Sequence, residues 1–89
     1  MYFMDGDAFV IVGSNNGNDY DPAWCHNLRS HPQAVVEVEQ KKITVRAEEV
    51  HGDEWNRLWQ YVASRLPFFE DYRKKTQRSI PIMLLRPEP

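Results

Sequence analysis

Cysteine is almost absent from this chain: Cys25 is the only one in 89 residues. An internal disulfide and a multi-cysteine zinc site are both excluded, and such usage fits a reducing cytosol. The three histidines, His26, His31 and His51, are too scattered to argue for a metal centre. Neither phosphate-binding glycine fingerprint occurs, so no nucleotide motif is present. Charge of one sign is missing too. Eleven Lys and Arg against 13 Asp and Glu leave a formal charge of −2, with no footprint for nucleic acid or an acidic membrane. No apolar run approaches the ~20 residues of a membrane span, and the N-terminus lacks a basic-then-apolar signal pattern. The expectation is a small cytoplasmic protein without nucleic-acid partner, metal or integral membrane segment, forming a single domain over 1–89.

What is present is a sequence of short elements. Asp5-Gly6-Asp7 is a turn signal, and Tyr2-Phe3-Met4 reads as the tail of an earlier strand. Residues 8–13 form a continuous apolar run, as in a strand buried on both faces. The polar stretch Ser14-Asn15-Asn16-Gly17-Asn18 follows, and then Asp21-Pro22, the N-cap and N1 preferences of a helix over 22–30. His31-Pro32 stops that helix.

Alternation over Ala34–Glu39 and Ile43–Ala47 predicts a hairpin across about 34–50, turning at Gln40-Lys41. Val36 and Val38 share one face with Ile43, Val45 and Ala47. Asp53 is placed to cap the next helix. Its residues Trp55, Leu58, Trp59, Val62, Ala63 and Leu66 form one apolar stripe, with Trp55 and Trp59 in the core. Pro67 breaks it and opens a second helical segment from Phe68 to about Thr76. Ile80–Leu85 closes the chain as a strand, with Pro81 near its start or on an edge. The order β-α-β-β-α-α-β contains no repeating βαβ unit. A mainly antiparallel, strongly curved sheet or partial barrel of α+β class fits it.

Several residues carry candidate chemistry. The Ser14–Asn18 loop offers a hydroxyl, side-chain amides and backbone N–H donors beside a helix start, a cradle for a phosphate or a ring carbonyl. An ordinary Asn/Gly turn explains the same residues, and sequence physics alone favours it. Cys25-His26 does not make a nucleophile and base, because neighbours on a helix point about 100° apart. Trp24 stands beside the loop as a wall for a flat ligand or as a core residue. Phe69 and Tyr72 share a helix face, and with Phe68 they cover a pocket or pack under the sheet. The basic run Arg73–Arg78 reads as a solvated face.

Taken together, these residues resemble the deazaflavin-dependent nitroreductase family. The resemblance rests on Asp5-Gly6-Asp7, Phe9–Val12, Ser14 and the Asn16-Gly17 loop. Pro22-Ala23-Trp24, His26-Asn27-Leu28-Arg29 and Pro32 come next in the same order. Arg57-Leu58-Trp59, Pro67, Tyr72, Thr76, Ile80-Pro81-Ile82 and Leu84-Leu85 continue it. It implies a split β-barrel of the FMN-binding type with two to three helices, often dimeric, that binds coenzyme F-420. The implied reaction is hydride transfer from the reduced cofactor to a quinone or nitroaromatic acceptor.

By position, the resemblance gives cofactor contacts to Ser14, Asn15, Asn16, Gly17, Trp24 and Asn27, and the acceptor pocket to Phe69 and Tyr72. It names no catalytic residue, and it places FMN behind F-420. It also implies a preceding basic segment, so the chain is expected to be a domain truncated at its N-terminus. Asn15 stands where a lysine is common, Cys25 where a tyrosine is common, and Leu66 and Phe69 where pocket tyrosines are frequent. With those groups gone, activity is expected to be weak or lost. A homodimer or higher assembly that completes the open sheet is expected. The alternative is a non-catalytic split-barrel module that dimerises or binds a protein partner.

Overall fold

The computed structural model describes residues 2–88. The elements are β1 (Phe3–Asp5), β2 (Ala8–Val12), α1 (Ala23–Ser30), β3 (Gln33–Val38), β4 (Lys41–Glu49), α2 (Gly52–Arg65), α3 (Phe68–Lys75) and β5 (Ile82–Pro87), with one 3-10 turn at Asn15–Gly17. The strands form one five-stranded sheet in the order β1-β2-β5-β4-β3, and every pairing is antiparallel. The architecture is α+β.

The final strand in sequence lies in the middle of the sheet. Ile82, Met83, Leu84 and Leu85 are all buried, because their alternate side chains enter two different cores. Ile82 and Leu84 join Ala8, Val10, Leu58, Trp59, Val62 and Phe69 under α2 and α3. Met83 and Leu85 join Phe9, Cys25 and Val45 on the opposite face, which Trp24 and Leu28 of α1 help to cover. A strand apolar on both faces can only sit where both faces are covered.

The structure shifts several boundaries. The hairpin turns at Glu39-Gln40, one residue before the expected site, with φ of 52° and 67°. Two successive positive φ angles match the twist of the flanking strands. Neither expected helix cap forms. Pro22 and His51 occupy the N-cap positions without side-chain bonds, and the Asp21 carboxylate is engaged by two arginines instead. The closing strand begins at Ile82 rather than Ile80. The Ile80 carbonyl is taken by the Trp55 indole N–H at 2.7 Å, and that of Pro81 by the Gly13 N–H at 2.8 Å. Phe3–Asp5 is a strand in its own right, paired with Ala8–Val10.

Gly13 is where β2, α1 and the start of β5 crowd together. A Cβ there would stand 2.6 Å from Cys25 Sγ and 2.8 Å from Pro81 Cγ. Gly13→Ala is therefore expected to lose about 1–3 kcal/mol of stability by overpacking. Gly6 makes a control, since its φ is +63° but nothing lies within 4 Å of a Cβ. Gly6→Ala should cost only the backbone strain, about 1 kcal/mol. Urea titration of both variants checks the difference.

Candidate functional site

The Asn-Asn-Gly sequence has a backbone reason. Asn15, Asn16 and Gly17 have φ of 48°, 55° and 78°, three successive left-handed residues. Asparagine and glycine tolerate that region where bulkier side chains do not. The Gly17 and Asn18 N–H groups close the turn onto the Ser14 and Asn15 carbonyls at 2.8 and 3.0 Å. A Cβ on Gly17 would meet the Tyr72 carbonyl oxygen at 3.0 Å, so the glycine lets the loop lie directly on α3.

Between this loop, α1 and α3 is a pocket of about 320 Å³, lined by Ser14, Asn16, Trp24, Phe69 and Tyr72 together with Phe3, Val12 and Phe68. Its volume is at the lower end for small-molecule sites, and its chemistry is aromatic with a few polar groups, as such sites are. Phe69 and Tyr72 meet edge-on at 6.2 Å, and Phe68 contacts both rings. Five of the eight site residues named from sequence therefore converge. Asn15, Gly17 and Asn27 do not line the pocket. Asn15 donates its amide to the Tyr20 carbonyl at 3.1 Å, Gly17 is buried under the turn, and Asn27 is exposed on α1.

Phe3 and Val12 were not among the residues expected to line it, and Phe68 was expected only as part of an aromatic cluster that covers a pocket or packs under the sheet. Val12 carried a usable signal as the last strand residue before the loop. Phe68 carried one through its neighbours Phe69 and Tyr72. Phe3 carried none, because its place depends on β1 pairing beside β2.

The basic run is a solvated face only in part: Arg73, Lys74, Lys75 and Gln77 are exposed, but its C-terminal end turns onto the loop. Lys75 donates to the Asn16 carbonyl at 3.0 Å, and Arg78 donates to the carbonyls of Gly13, Ser14 and Asn18. Thr76 Oγ1 donates to Asp19 Oδ1 at 3.0 Å. The segment after α3 is an internal clamp on the loop. Arg73 lies 5.4 and 5.6 Å from the ring centroids of Trp55 and Trp59, which stack on each other at 5.2 Å.

Two carboxylates and two arginines run in a chain from the loop to β4. Arg78 Nη1 donates to Asp21 Oδ1 at 2.7 Å, and Arg29 Nη1 to Asp21 Oδ2 at 2.8 Å. Arg29 also grips Glu49 with two bonds of 2.8 and 2.9 Å. The Arg29 guanidinium holds the Glu49 carboxyl below its ordinary value of 4.5, against the opposing effect of partial burial. A carboxyl whose folded pKa is lowered stabilises the fold above its ordinary value, and that stability is lost as pH falls through the lowered one. Both side chains are partly exposed, so the contribution is expected to be no more than about 1 kcal/mol. Urea midpoints measured from about pH 6 down to about pH 3 should fall for the native chain and fall less for Glu49→Gln.

Cys25 is fully buried behind Gly13, and burial pushes its thiol up to about 11. It is a protonated packing group at neutral pH, and the adjacent His26 is exposed. Among the described residues no His, Cys, Asp and Glu side chains cluster to hold a metal ion, and no helix is long and apolar enough to cross a membrane.

A five-stranded antiparallel sheet with three helices defines an α+β, split-barrel-like fold, with an aromatic pocket between its polar loop and two of the helices. Residues 1–87 match the family profile described as F420H(2)-dependent quinone reductase, and the chain belongs to that family. It is 37% identical over 87 residues to the F420H(2)-dependent quinone reductase Rv1261c of Mycobacterium tuberculosis, covering 94% of this chain and 58% of that protein. It is 30% identical over 87 residues to the putative F420H(2)-dependent quinone reductase Rv3178 of the same organism, covering 98% and 73%.

Two solved structures superpose closely, each at 25% identity and covering 97% of this chain. One is titled as an F420-H2 dependent reductase, with a TM-score of 0.86 and 76% of its own length covered. The other is titled as a domain-swapped dimer, with a TM-score of 0.87 and 65% covered. The chain spans 58% of the length of the relatives it matches at 37% identity.

Proposed function

We propose that this chain binds reduced coenzyme F-420 along the Ser14–Trp24 wall and supports its reaction with a quinone or nitroaromatic acceptor. The observation that carries this reading is the convergence of Ser14, Asn16, Trp24, Phe69 and Tyr72 on one pocket. The pocket fits the flat ring part of the cofactor, since its walls are aromatic and its polar groups come from the loop, at Ser14 and Asn16, and from α3, at Tyr72. When bound, the cofactor supplies the hydride chemistry.

The chain's own work is binding, orientation and exclusion of water. Trp24 and the rings of Phe68 and Phe69 offer apolar faces to a planar group. The Ser14 and Tyr72 hydroxyls and the Asn16 amide are the donors that orient ring carbonyls. Asn15 and Gly17 serve this site from outside its lining, by setting the loop's path. The test is titration of the purified, folded protein with coenzyme F-420, following cofactor fluorescence. Saturable quenching in the low micromolar range is expected, and no binding at tens of micromolar overturns the reading.

One observation favours a second reading. Among the described residues the pocket lining contains no Lys or Arg, so these residues offer the cofactor's anionic tail no cation there. A split-barrel module that assembles without catalysing gives the negative outcome of the same titration. Under either reading we propose a single-domain, cytoplasmic homodimer. Among the described residues β1 and β3 are the outer strands with open edges, and Val35 on β3 is 61% exposed. Open edges are templates for pairing with another chain. A structural neighbour titled as a domain-swapped dimer supports the same assembly. Light scattering at micromolar concentration should report twice the chain mass, and a monomer overturns the assembly proposal.

A further inference from the structure

Arg78 lies between α3 and β5, and its side chain is 14% exposed. Its Nε donates to the Asn18 carbonyl at 2.9 Å, and its Nη2 to the Gly13 and Ser14 carbonyls at 3.0 and 2.9 Å. Its Nη1 donates to Asp21 Oδ1 at 2.7 Å and, at 3.4 Å, to the Ser79 carbonyl. One guanidinium thus holds four points of the Gly13–Asp21 loop, 57 to 65 residues away in sequence.

We infer that Arg78 is the positioning residue of the pocket. It turns the peptide carbonyls of Gly13, Ser14 and Asn18 toward itself, and so fixes how the loop presents Ser14 and Asn16 to the pocket. The ligand part of this inference rests on the F-420 reading above, whereas the loop part does not.

The charges indicate that Arg78 contributes geometry rather than field. Arg78 and Arg29 face Asp21 and Glu49, two positive charges against two negative ones. The cluster is neutral as a whole. Lysine cannot reproduce this arrangement. Its three donors radiate from one nitrogen, whereas the planar fork of arginine reaches carbonyls on both sides at once. A Lys at this position keeps the charge and loses the span, which separates the two roles.

The test compares Arg78→Lys with Arg86→Lys, an exposed arginine on β5 whose partner Glu48 is at 3.7 Å, remote from the pocket. Amide exchange of Gly17 and Asn18 reports loop order, and F-420 fluorescence reports affinity. R78K is expected to lose protection at both amides and to weaken F-420 binding about 10- to 100-fold, the effect of losing one or two pocket hydrogen bonds. R86K should change neither.

Wild-type protection in folded R78K overturns the inference, and so does lost protection with unchanged affinity. If the native protein binds no F-420, the functional reading fails, and the amides alone then decide the positioning role: lost protection supports it and retained protection overturns it. Should R78K not fold, the native protein still gives the answer by NMR. Hindered rotation of the Arg78 guanidinium supports the clamp, and free rotation overturns it.

Discussion

Phe69→Ala is expected to be the most damaging single truncation, costing about 3–5 kcal/mol. Phe69 is buried at the junction of α3 with the sheet, where its ring meets those of Phe3, Trp59, Phe68 and Tyr72. Removing it deletes a large apolar surface, four aromatic contacts and one wall of the pocket. A domain of this length has only about 5–10 kcal/mol of total stability, so F69A should melt well below the native chain. Differential scanning calorimetry checks this. Phe69→Leu retains much of the volume and should fold, and with the planar wall gone its F-420 affinity should fall. Native-like melting of F69A would show that the α3 aromatic cluster is not part of the cooperative core.

Leu84→Ala tests the other structural claim, that β5 is the centre of the molecule. Leu84 is 1% exposed, sits opposite Val10 on β2 and Glu48 on β4, and belongs to the cluster beneath α2 and α3. Flanked by hydrogen-bonded strands on both sides, the site can collapse little around a cavity, so the expected loss is about 2–5 kcal/mol. The same substitution at Val35, exposed on the outer strand β3, should cost under about 0.5 kcal/mol in the monomer. Urea titration of the pair gives the contrast. Comparable losses would mean that the strand order is wrong.

The two claims differ in how far the sequence carries them. The α2 stripe was legible because helical periodicity is a local property: Leu58, Trp59 and Val62 recur on one face, and that face is buried. The β3–β4 hairpin was legible for the same reason, though its turn was misplaced by one residue. No Asn-Gly pair marks the turn, and Glu39 and Gln40 take the left-handed conformation under the demands of strand register. The cap at Asp53 failed because α2 begins at Gly52, which puts Asp53 inside the first turn; the cap at Asp21 failed because an acidic side chain can serve a helix end or a distant cation. For Asp21 the two arginines win, since charge-assisted bonds are the stronger ones.

The candidate site divides in the same way. Trp24, Phe69 and Tyr72 could be named from sequence because each stands beside a loop or on a helix face with other aromatics. Phe3 and Lys75 could not, as nothing near them in sequence indicates what they meet. Arg78 is the clearest case. In a run of six residues with four basic ones it is indistinguishable from Lys74, yet one is exposed and the other lies inside the loop it holds.

By itself, then, the sequence determined the class of the protein, the helices, the hairpin and the aromatic and polar residues available for a site. Those follow from short-range periodicity and residue chemistry. Only the tertiary structure decided the strand order that puts β5 in the middle, the pocket that joins Phe3 to Tyr72, and the bonds from Arg78 to Gly13 and Ser14. Those pairings close over tens of residues, and no local propensity encodes which distant partner a strand edge or a guanidinium will meet.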